Sequence, residues 1–588
     1  MKTLIILGIF TVNIHSLSAQ KLVPTDFLFR PMVVGNTDST VNNMRSNVIT
    51  EIILKDDLQT SSTLVWLGTG IGASVIINSD TVEAIPDTFG LANSLSSSST
   101  KTTTNRLPQG GISAMAAGND GTLFIAFAGS ENDLPVGQGF ALTSNASALT
   151  ASDSTINWTY FNQQIENNDK PYFEFWQFKS EALPITVPHQ NVTYDIALSH
   201  LDEDTSYAYT ASWAGGLRRL KFENRYNPNR IIPIKWERVP LPMDNQFKLN
   251  TCELTSYDTV PDPYDPPNEM LILKDYYFNP RDPIDGGNHN HKVFSILTYG
   301  DTIWVGTANG INRGIFGGYS QIFGYCINWE HYSYPEYNLS GNFVVGLALQ
   351  MHKGKRVIWA ATVNADDPTE QRGVSYTTND GLSWNTALLG ERVYNITAQD
   401  SLVFAATANG LWMTEDGINW AKYKPAQQHT PYSTDEILAN EVYSVAFDTS
   451  DTSIWIGTGD GVAHSYDLDG LDWKIFRAEY DIDEDYAYPN PFSPYTHNVL
   501  GGEGYVRFHT NEWSGSSEIK LDVYNFAMEK VFAGSFDRTA TSSGALKWNG
   551  RDMEGRLVNN GVYFVKLTYP EGYNTKPSPH WVKLIVVK

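Results

Sequence analysis

Cysteine is scarce in this sequence, because Cys252 and Cys326 are the only two in 588 residues. Two thiols can pair in an oxidising compartment, but they cannot build the disulfide framework that holds together many small secreted domains. The sequence leaves open whether these two pair, because it does not give their separation in space. Hydrophobic packing and strand ladders must therefore hold the fold.

Positive charge and long apolar runs are also lacking. The chain has 41 Lys and Arg against 65 Asp and Glu, a net charge of −24, and no stripe of basic residues. A nucleic-acid partner is excluded, because such binding requires clustered Lys and Arg. No run reaches the ~18–20 apolar residues of a membrane-spanning helix, so we expect no transmembrane segment. No amphipathic run with helical periodicity is long enough to form an α-rich domain.

The N-terminus has the three zones of a secretory signal peptide. Lys2 supplies the positive start, Leu4 to Ile14 form a mostly apolar run, and small residues lead to Ala19. We predict cleavage after Ala19, with residues 1–19 as the signal and the mature chain exported through the periplasm. The mature length exceeds what one hydrophobic core supports, so at least two domains are expected.

One motif recurs seven times, as a short apolar strand, a small pair such as Gly-Thr, and a Gly-containing turn. Thr307, Thr362, Thr407 and Thr458 follow one another at intervals of 55, 45 and 51 residues. This period is typical of a blade of four antiparallel strands. The fold class is therefore predicted to be all-β, with a β-propeller of about seven blades. The copies lie at 65–70, 123–127, 208–216, 303–310, 358–362, 403–410 and 454–461.

Tryptophan follows six of the seven copies, where it would open an outer strand and fill the space between blades. These residues are Trp158, Trp236, Trp329, Trp384, Trp420 and Trp473. The propeller is predicted over 47–477, with residues 20–46 as a candidate for closing it. Insertions at 95–105, 162–189 and 245–291 lengthen the blades. Loops this long are usually functional or disordered, so we expect any binding to use them, above all 245–291.

Two families resemble the repeat. The Trp-Ile/Val-Gly-Thr-x-x-Gly copies resemble the propeller repeats in the sensor regions of bacterial two-component regulators. The segments 377–384 and 414–420, and more weakly 469–473, resemble the Asp-box hairpin of the bacterial neuraminidase repeat, which is structural in that family. Asn379, Glu415 and Leu468 stand where that family usually has Asp. Both resemblances imply a propeller and carry almost no information about function.

The period stops after Phe476. An acidic linker, 478–487, leads to a segment of alternating strands over 488–588, which predicts a small antiparallel β-sandwich. Its motifs are Tyr488-Pro489-Asn490-Pro491-Phe492 and Trp548-Asn549-Gly550-Arg551-Asp552. The segment resembles the C-terminal sorting domain of type IX secretion cargo and the Ig-like domain of flagellar hook-capping proteins. The resemblance implies an outer-membrane crossing in a Gram-negative bacterium, with the type IX machinery as a partner. Phe526-Ala527-Met528 departs from the Gly-Arg-type turn common in that family, which leaves a structural Ig-like domain as the alternative.

Few residues are candidates for chemistry, and no catalytic residue or organic cofactor is predicted. Asp481, Asp483 and Asp485 alternate, and alternating carboxylates can supply oxygens to Ca²⁺. Neither a glycine turn nor a bidentate Glu follows them, so a solvated acidic linker is the favoured interpretation. His289 and His291 lack further ligands at a spacing that would suit zinc, so a polar loop is favoured there.

Three functions follow from these patterns. The first and favoured function is that of a secreted or surface protein without enzymatic activity, whose propeller is a scaffold that binds extracellular protein or glycan. The second is a sialidase-like or other polysaccharide-acting enzyme, which would require Asp, Glu and Arg to converge in one funnel. The third is a component of the secretion or surface-assembly apparatus.

Overall fold

The structure is a computed structural model, and the described part of the chain is all-β. Its regular structure is β-strand except for two 3-10 turns, Thr251–Glu253 and His289–His291. No helix in this part is long and apolar enough to cross a membrane. The described residues are 44–56, 63–79, 81–85, 87–88, 102–104, 107–108, 110–118, 121–131, 134–147, 156–163, 172–175, 178–181, 191–200, 206–223, 232–254, 257–261, 269–273, 289–320, 324–365, 367–424, 426–429, 434–478, 485–510, 518–537, 546–569 and 579–588.

Seven antiparallel sheets, numbered 1 to 7 here, follow one another from residue 49 to residue 476. Sheet 1 comprises β1 (Ile49–Asp56), β2 (Thr63–Thr69), β3 (Gly72–Ile77) and β4 (Thr81–Ala84). The short strands β5 (Asp87–Thr88), β6 (Thr102–Thr104) and β7 (Leu107–Pro108) follow it. Sheet 2 comprises β8 (Gly111–Ala117), β9 (Leu123–Glu131), β10 (Leu134–Thr143) and β11 (Trp158–Phe161), with β6 at its outer edge.

A hairpin of β12 (Tyr172–Phe175) and β13 (Phe178–Glu181) precedes sheet 3, which comprises β14 (Thr193–His200), β15 (Ser206–Ser212), β16 (Gly216–Glu223) and β17 (Ile232–Arg238). Next come β18 (Lys248–Asn250) and a hairpin of β19 (Tyr257–Pro261) and β20 (Glu269–Leu273). Sheet 4 comprises β21 (Val293–Tyr299), β22 (Thr302–Thr307), β23 (Gly310–Ser320) and β24 (Gly324–Tyr332), with β18 at its outer edge.

Sheet 5 comprises β25 (Phe343–His352), β26 (Lys355–Val363), β27 (Gly373–Thr377) and β28 (Asn385–Ala387). Sheet 6 comprises β29 (Val393–Gln399), β30 (Leu402–Thr407), β31 (Gly410–Thr414) and β32 (Ala421–Lys422). A hairpin of β33 (Gln427–His429) and β34 (Thr434–Glu436) precedes sheet 7, which comprises β35 (Val442–Asp448), β36 (Ser453–Thr458), β37 (Gly461–Ser465) and β38 (Trp473–Phe476). All seven copies of the sequence motif lie on the second strand of their sheets, which confirms the repeat.

The seven sheets close into a propeller-like ring. Their first strands β1, β8, β14, β21, β25, β29 and β35 each pack on the next, and β35 packs on β1. Hydrogen bonds cross the seam between sheets 7 and 1. Thr63 donates to Asp448 (2.6 Å), and the amide of Gly461 donates to the carbonyl of Asn47 (2.7 Å). Of the N-terminal segment 20–46, residues 44–46 are described, and Met44 is buried in the seam core.

The threonine of the motif closes the hairpin between the second and third strands. Its hydroxyl donates to the carbonyl of a glycine three residues later (2.8–3.1 Å) and accepts from the amide two residues later (3.0–3.1 Å). The glycine has a φ between 87° and 115°, which L side chains rarely adopt. Local turn chemistry therefore accounts for the Thr-x-x-Gly spacing. The four threonines are Thr69, Thr307, Thr407 and Thr458.

The small residue before this threonine is required by the neighbouring sheet. A Cβ on Gly306 would lie 2.6 Å from Cγ1 of Val344 in sheet 5. A Cβ on Gly457 would lie 2.7 Å from Cγ2 of Ile49 in sheet 1. At these two interfaces the adjacent sheets approach closely because the position before the threonine lacks a side chain.

Tryptophan side chains fill the wider gaps between sheets. In three cases the Trp on the second strand of one sheet packs edge-to-face on the outer Trp of the next sheet. Ring centroids are 6.1–6.2 Å apart with interplanar angles of 83–86°, in the pairs Trp66–Trp158, Trp304–Trp384 and Trp359–Trp420. The motif is therefore explained by the architecture of the ring and does not by itself mark a ligand site.

The seam between sheets 7 and 1 contains a buried histidine. The His464 ring stacks on Trp455 with centroids 3.8 Å apart, and within the described chain neither of its nitrogens has a hydrogen-bond partner. Burial lowers the pKa of His464 from 6.5 to about 4; Lys474 also lowers it, whereas Asp448 and Asp451 raise it. The imidazole is therefore neutral at pH 7.

We expect His464 to make the ring sensitive to acid. Between pH 6.5 and 4 the unfolded chain binds a proton that the folded chain does not, so stability falls as the pH falls. This pKa difference corresponds to about 3 kcal/mol lost between pH 7 and pH 4. His464→Phe keeps an aromatic ring on Trp455 and removes the titration. Urea unfolding at pH 7 and pH 4 measures the loss in the free energy of unfolding, which should be smaller in the variant by about this amount. Equal losses in the variant and the wild type would show that His464 does not cause the acid sensitivity.

The C-terminal sheet pair, residues 486–586, has its own core. One sheet orders β39 (Tyr486–Tyr488), β40 (Val506–His509) and β43 (Lys547–Trp548). The other orders β42 (Lys530–Asp537), β41 (Glu518–Tyr524), β44 (Gly561–Thr568) and β45 (His580–Val586). The strands alternate buried and outward residues, as predicted, and the buried faces form one hydrophobic cluster drawn only from residues 487–586. Trp548 is its largest fully buried side chain.

Candidate functional site

The predicted calcium candidates are only partly within the described residues. Asp481 and Asp483 lie outside them. Asp485 is described, and its carboxylate accepts hydrogen bonds from the Tyr569 hydroxyl (2.8 Å) and from Nδ1 of His580 (2.6 Å). Across the described ranges, no group of three or more His, Cys, Asp or Glu side chains is arranged to hold a metal ion. Asp485 therefore links the start of the C-terminal sheet pair to its last strand.

Cys252 and Cys326 are joined by a disulfide, with their Cα atoms 5.3 Å apart. Cys252 lies in the 3-10 turn after β18, and Cys326 lies on β24 of sheet 4. Next to them, the amide of Ile327 donates to the hydroxyl of Thr251 (2.8 Å). The bridge thus anchors the first part of the 245–291 insertion to the outer edge of sheet 4.

Two of the long insertions contact each other through their hairpins. The 162–189 insertion contains the β12–β13 hairpin, the 245–291 insertion contains the β19–β20 hairpin, and β13 contacts β20. The 245–291 insertion ends in the turn of His289 and His291. Their pKa is lowered by burial to about 3, and His289 Nδ1 lies 3.1 Å from Nζ of Lys292. These histidines serve as neutral structural residues at the entrance to sheet 4.

In sheets 5, 6 and 7, a side chain in the turn after the third strand accepts a hydrogen bond from the backbone of that turn. In sheet 5 the acceptor is Asn379, which accepts from the amide of Ser383 (2.9 Å). In sheet 6 the acceptor is Asp416, one residue after Glu415. In sheet 7 it is Asp467, one residue before Leu468. The amides of Asn419 and Ile418 hold the pKa of Asp416 well below its ordinary value. In all three turns the acceptor is the second residue after the end of the third strand.

The ring axis is filled by side chains from a bulge that recurs in every first strand. The bulge residues include Tyr194, Phe294, Tyr394 and Tyr443, all buried. Glu441 accepts from the hydroxyls of Tyr394 (2.8 Å) and Tyr443 (2.6 Å). Burial and the Glu441 charge raise the pKa of both phenols, so both stay protonated at neutral pH. The two tyrosines of this group are packed among the other buried bulge residues.

Acidic and basic residues do converge where the C-terminal sheet pair meets the ring. Arg507 of β40 donates to Asp435 (2.9 Å) and Asp460 (2.8 Å), and to the carbonyl of Glu436 (2.7 Å). Arg477, which follows β38, pairs with the same two aspartates. We call this group the junction; it comprises Asp435, Glu436, Asp460 and Arg477 of the ring with Arg507 and Lys547 of the C-terminal sheet pair.

Most of the junction is buried, and its three acidic and three basic side chains balance in charge. Asp460 is fully buried and also accepts from the amide of Leu438 (2.8 Å). Burial alone would raise the pKa of Asp435, but the guanidinium groups of Arg477 and Arg507 outweigh it and lower the pKa to about 2. The opposing charges raise the pKa of Arg507. Asp435 and Arg507 are therefore ionised at neutral pH, and the cluster serves as an interface rather than as an open catalytic funnel.

The Tyr-Pro-Asn-Pro-Phe motif covers the edge of the last strand. The Asn490 side chain accepts from the amide of Ile585 (3.0 Å) and donates to the carbonyl of Lys583 (2.9 Å). The backbone of Phe492 then bridges to β45, and its ring is fully buried. An uncovered edge strand is a template for unwanted pairing, so this motif protects the sheet. Its role is visible only when β45 is placed beside it.

Aromatic side chains are exposed on the face of the four-stranded sheet that points away from its core. Tyr524 and Phe564 are paired across β41 and β44, and Trp581 on β45 packs against Tyr524 with centroids 5.6 Å apart. Phe526 lies beside Phe564 and is 77% exposed, and Trp581 is 49% exposed. Together with these lie the outward lysines Lys530, Lys566 and Lys583. We call this surface the aromatic face.

The fold and these contacts define the class: an all-β protein in which a propeller-like ring carries a second, separately cored pair of sheets. No family model matches the chain, and no curated protein matches it. The solved structures similar to it include PorZ, a surface component of the type IX secretion system of Porphyromonas gingivalis, at 10% identity over 93% of this chain and 94% of that one, with a TM-score of 0.20.

Two further solved structures are similar at the same low level. The extracellular domain of the hybrid two-component system BT4673 of B. thetaiotaomicron is 11% identical over 95% of this chain and 76% of that one, with a TM-score of 0.18. YCF48 from Cyanidioschyzon merolae is 11% identical over 73% of this chain and 96% of that one, with a TM-score of 0.34.

Proposed function

We propose that this protein is exported and acts outside a Gram-negative cell. In this proposal residues 1–19 are a signal peptide, 47–477 form a seven-bladed propeller that binds extracellular protein or glycan, and 478–487 are a linker. Residues 488–588 are an Ig-like sandwich that directs type IX secretion. The secretion machinery recognises the aromatic face of that sandwich.

The observation that carries this proposal is the two-sidedness of the C-terminal sheet pair. Arg507 and Lys547 of the three-stranded sheet contact the ring, so that side is engaged. The four-stranded sheet lies across the shared core and keeps Phe526 and Trp581 exposed. Exposed aromatic residues beside charged groups are typical of protein recognition surfaces. A sorting signal must remain accessible in the folded cargo, and this face meets that requirement.

The test is export of Phe526→Ala/Trp581→Ala from a bacterium with type IX secretion. We expect the wild-type chain at the surface or in the medium. The variant should be exported at least about tenfold less and accumulate in the periplasm, because truncating two aromatic anchors costs about 2 kcal/mol or more in a docked complex. Immunoblots of the fractions measure the ratio.

The matched control is Phe247→Ala/Tyr319→Ala, which removes two exposed aromatic side chains from the ring instead. It should be exported like the wild type. Thermal unfolding of both purified variants should match the wild type, because all four side chains are exposed. Normal export of Phe526→Ala/Trp581→Ala would show that the aromatic face is not the recognised surface.

A further inference from the structure

The ring side of the junction is an acidic site that is organised by the ring's own residues. Asp435, Glu436 and Asp460 carry three negative charges, and Arg477 holds the two aspartates in place. This leaves an excess of two negative charges. Arg507 and Lys547 of the C-terminal sheet pair supply two positive charges. The two surfaces are therefore complementary in charge.

The geometry of Arg507 adds specificity to this complementarity. Its two terminal nitrogens reach Asp435, Asp460 and the Glu436 carbonyl at 2.7–2.9 Å, and its side chain is only 12% exposed. A planar fork of donors fits such a site, whereas the single ammonium of lysine does not. Backbone contacts flank the charges, since the amide of Asn440 donates to the carbonyl of Val499 (2.7 Å).

The two bodies do not share a hydrophobic core within the described residues. The cluster of the C-terminal sheet pair contains residues 487–586 only, and the seam cluster of sheets 7 and 1 ends at Ala478. Each body therefore keeps its own buried apolar surface when the linker is cut. What holds them together is then the junction and the backbone contacts beside it.

We propose that the ring carries a receptor site for the C-terminal sheet pair, formed by Asp435, Glu436 and Asp460, and that the pair stays bound when the chain is cut between residues 478 and 485. Cleavage of the linker alone does not release the pair. Release requires separation of Arg507 from its two aspartates. This inference rests on the junction and does not depend on the proposed export role.

The experiment uses the full chain with residues 479–484 replaced by the recognition sequence of a specific protease. The purified protein is cut to completion and passed over a size-exclusion column. We expect both pieces to elute together. Arg507→Lys keeps the charge but loses the forked hydrogen bonds, and Asp435→Asn leaves Arg477 and Arg507 with one carboxylate fewer. Each variant should weaken the association on the order of 100-fold or more. The pieces of these variants should therefore separate on dilution.

Arg556→Ala is the matched control, because the exposed Arg556 pairs with Asp552 and Glu554 within the C-terminal sheet pair. Its pieces should elute together like those of the wild type. Circular dichroism of the cut pieces shows whether a variant separates while still folded. Separation of the wild-type pieces would overturn the proposal, and so would co-elution of the Arg507→Lys and Asp435→Asn pieces at every dilution.

Discussion

Asp460→Asn should lower the free energy of unfolding by about 3–5 kcal/mol, the cost of removing one partner from a buried ion pair. The substitution keeps the size of the side chain and removes its charge. Arg477 and Arg507 would then remain buried with one carboxylate fewer, and the amide of Leu438 would lose a charged acceptor. Urea unfolding followed by tryptophan fluorescence measures the loss.

The matched control is Asp472→Asn, because Asp472 is an exposed residue of the same sheet region. It should change the stability by less than about 0.5 kcal/mol. If the Asp460→Asn and Asp472→Asn variants unfold at the same urea concentration, Asp460 does not stabilise the ring. Both variants carry the same Asp→Asn change, so a difference in their stability measures the effect of burial and charge pairing at Asp460.

Replacement of Cys252 and Cys326 by serine should destabilise sheet 4 and the insertion attached to it. The bridge joins residues separated by 74 positions. For a loop of this length the chain-entropy relation gives a stabilisation of about 4 kcal/mol, as an upper estimate. No second bridge can compensate for the loss, because the chain has no other cysteine. Urea unfolding of the double variant against the oxidised wild type measures it.

Reductant supplies the internal control for the disulfide. It should shift the unfolding midpoint of the wild type towards that of the double serine variant and leave the variant unchanged. Alkylation followed by mass spectrometry should find no free thiol in the folded, non-reduced protein. Two free thiols, or equal midpoints with and without reductant, would show that Cys252 and Cys326 do not pair in solution.

The sequence determined the repeat, because each element of the motif acts over a short distance. A threonine hydroxyl reaches an amide two residues on and a carbonyl three residues on, so Thr307 and Gly310 are read directly from their spacing. Strand alternation likewise predicted the strands of the C-terminal sheet pair.

Only the tertiary structure decided which charges meet. Asp435 and Arg507 are 72 residues apart, and no local pattern distinguishes them from the other acidic and basic residues of the chain. The same holds for the pairing of Cys252 with Cys326 and for the edge that Asn490 covers. Periodicity encodes which face of a strand is buried, because that depends on neighbouring residues. Contacts between separate sheets depend on how whole sheets stack, and the sequence carries no short-range signal for that.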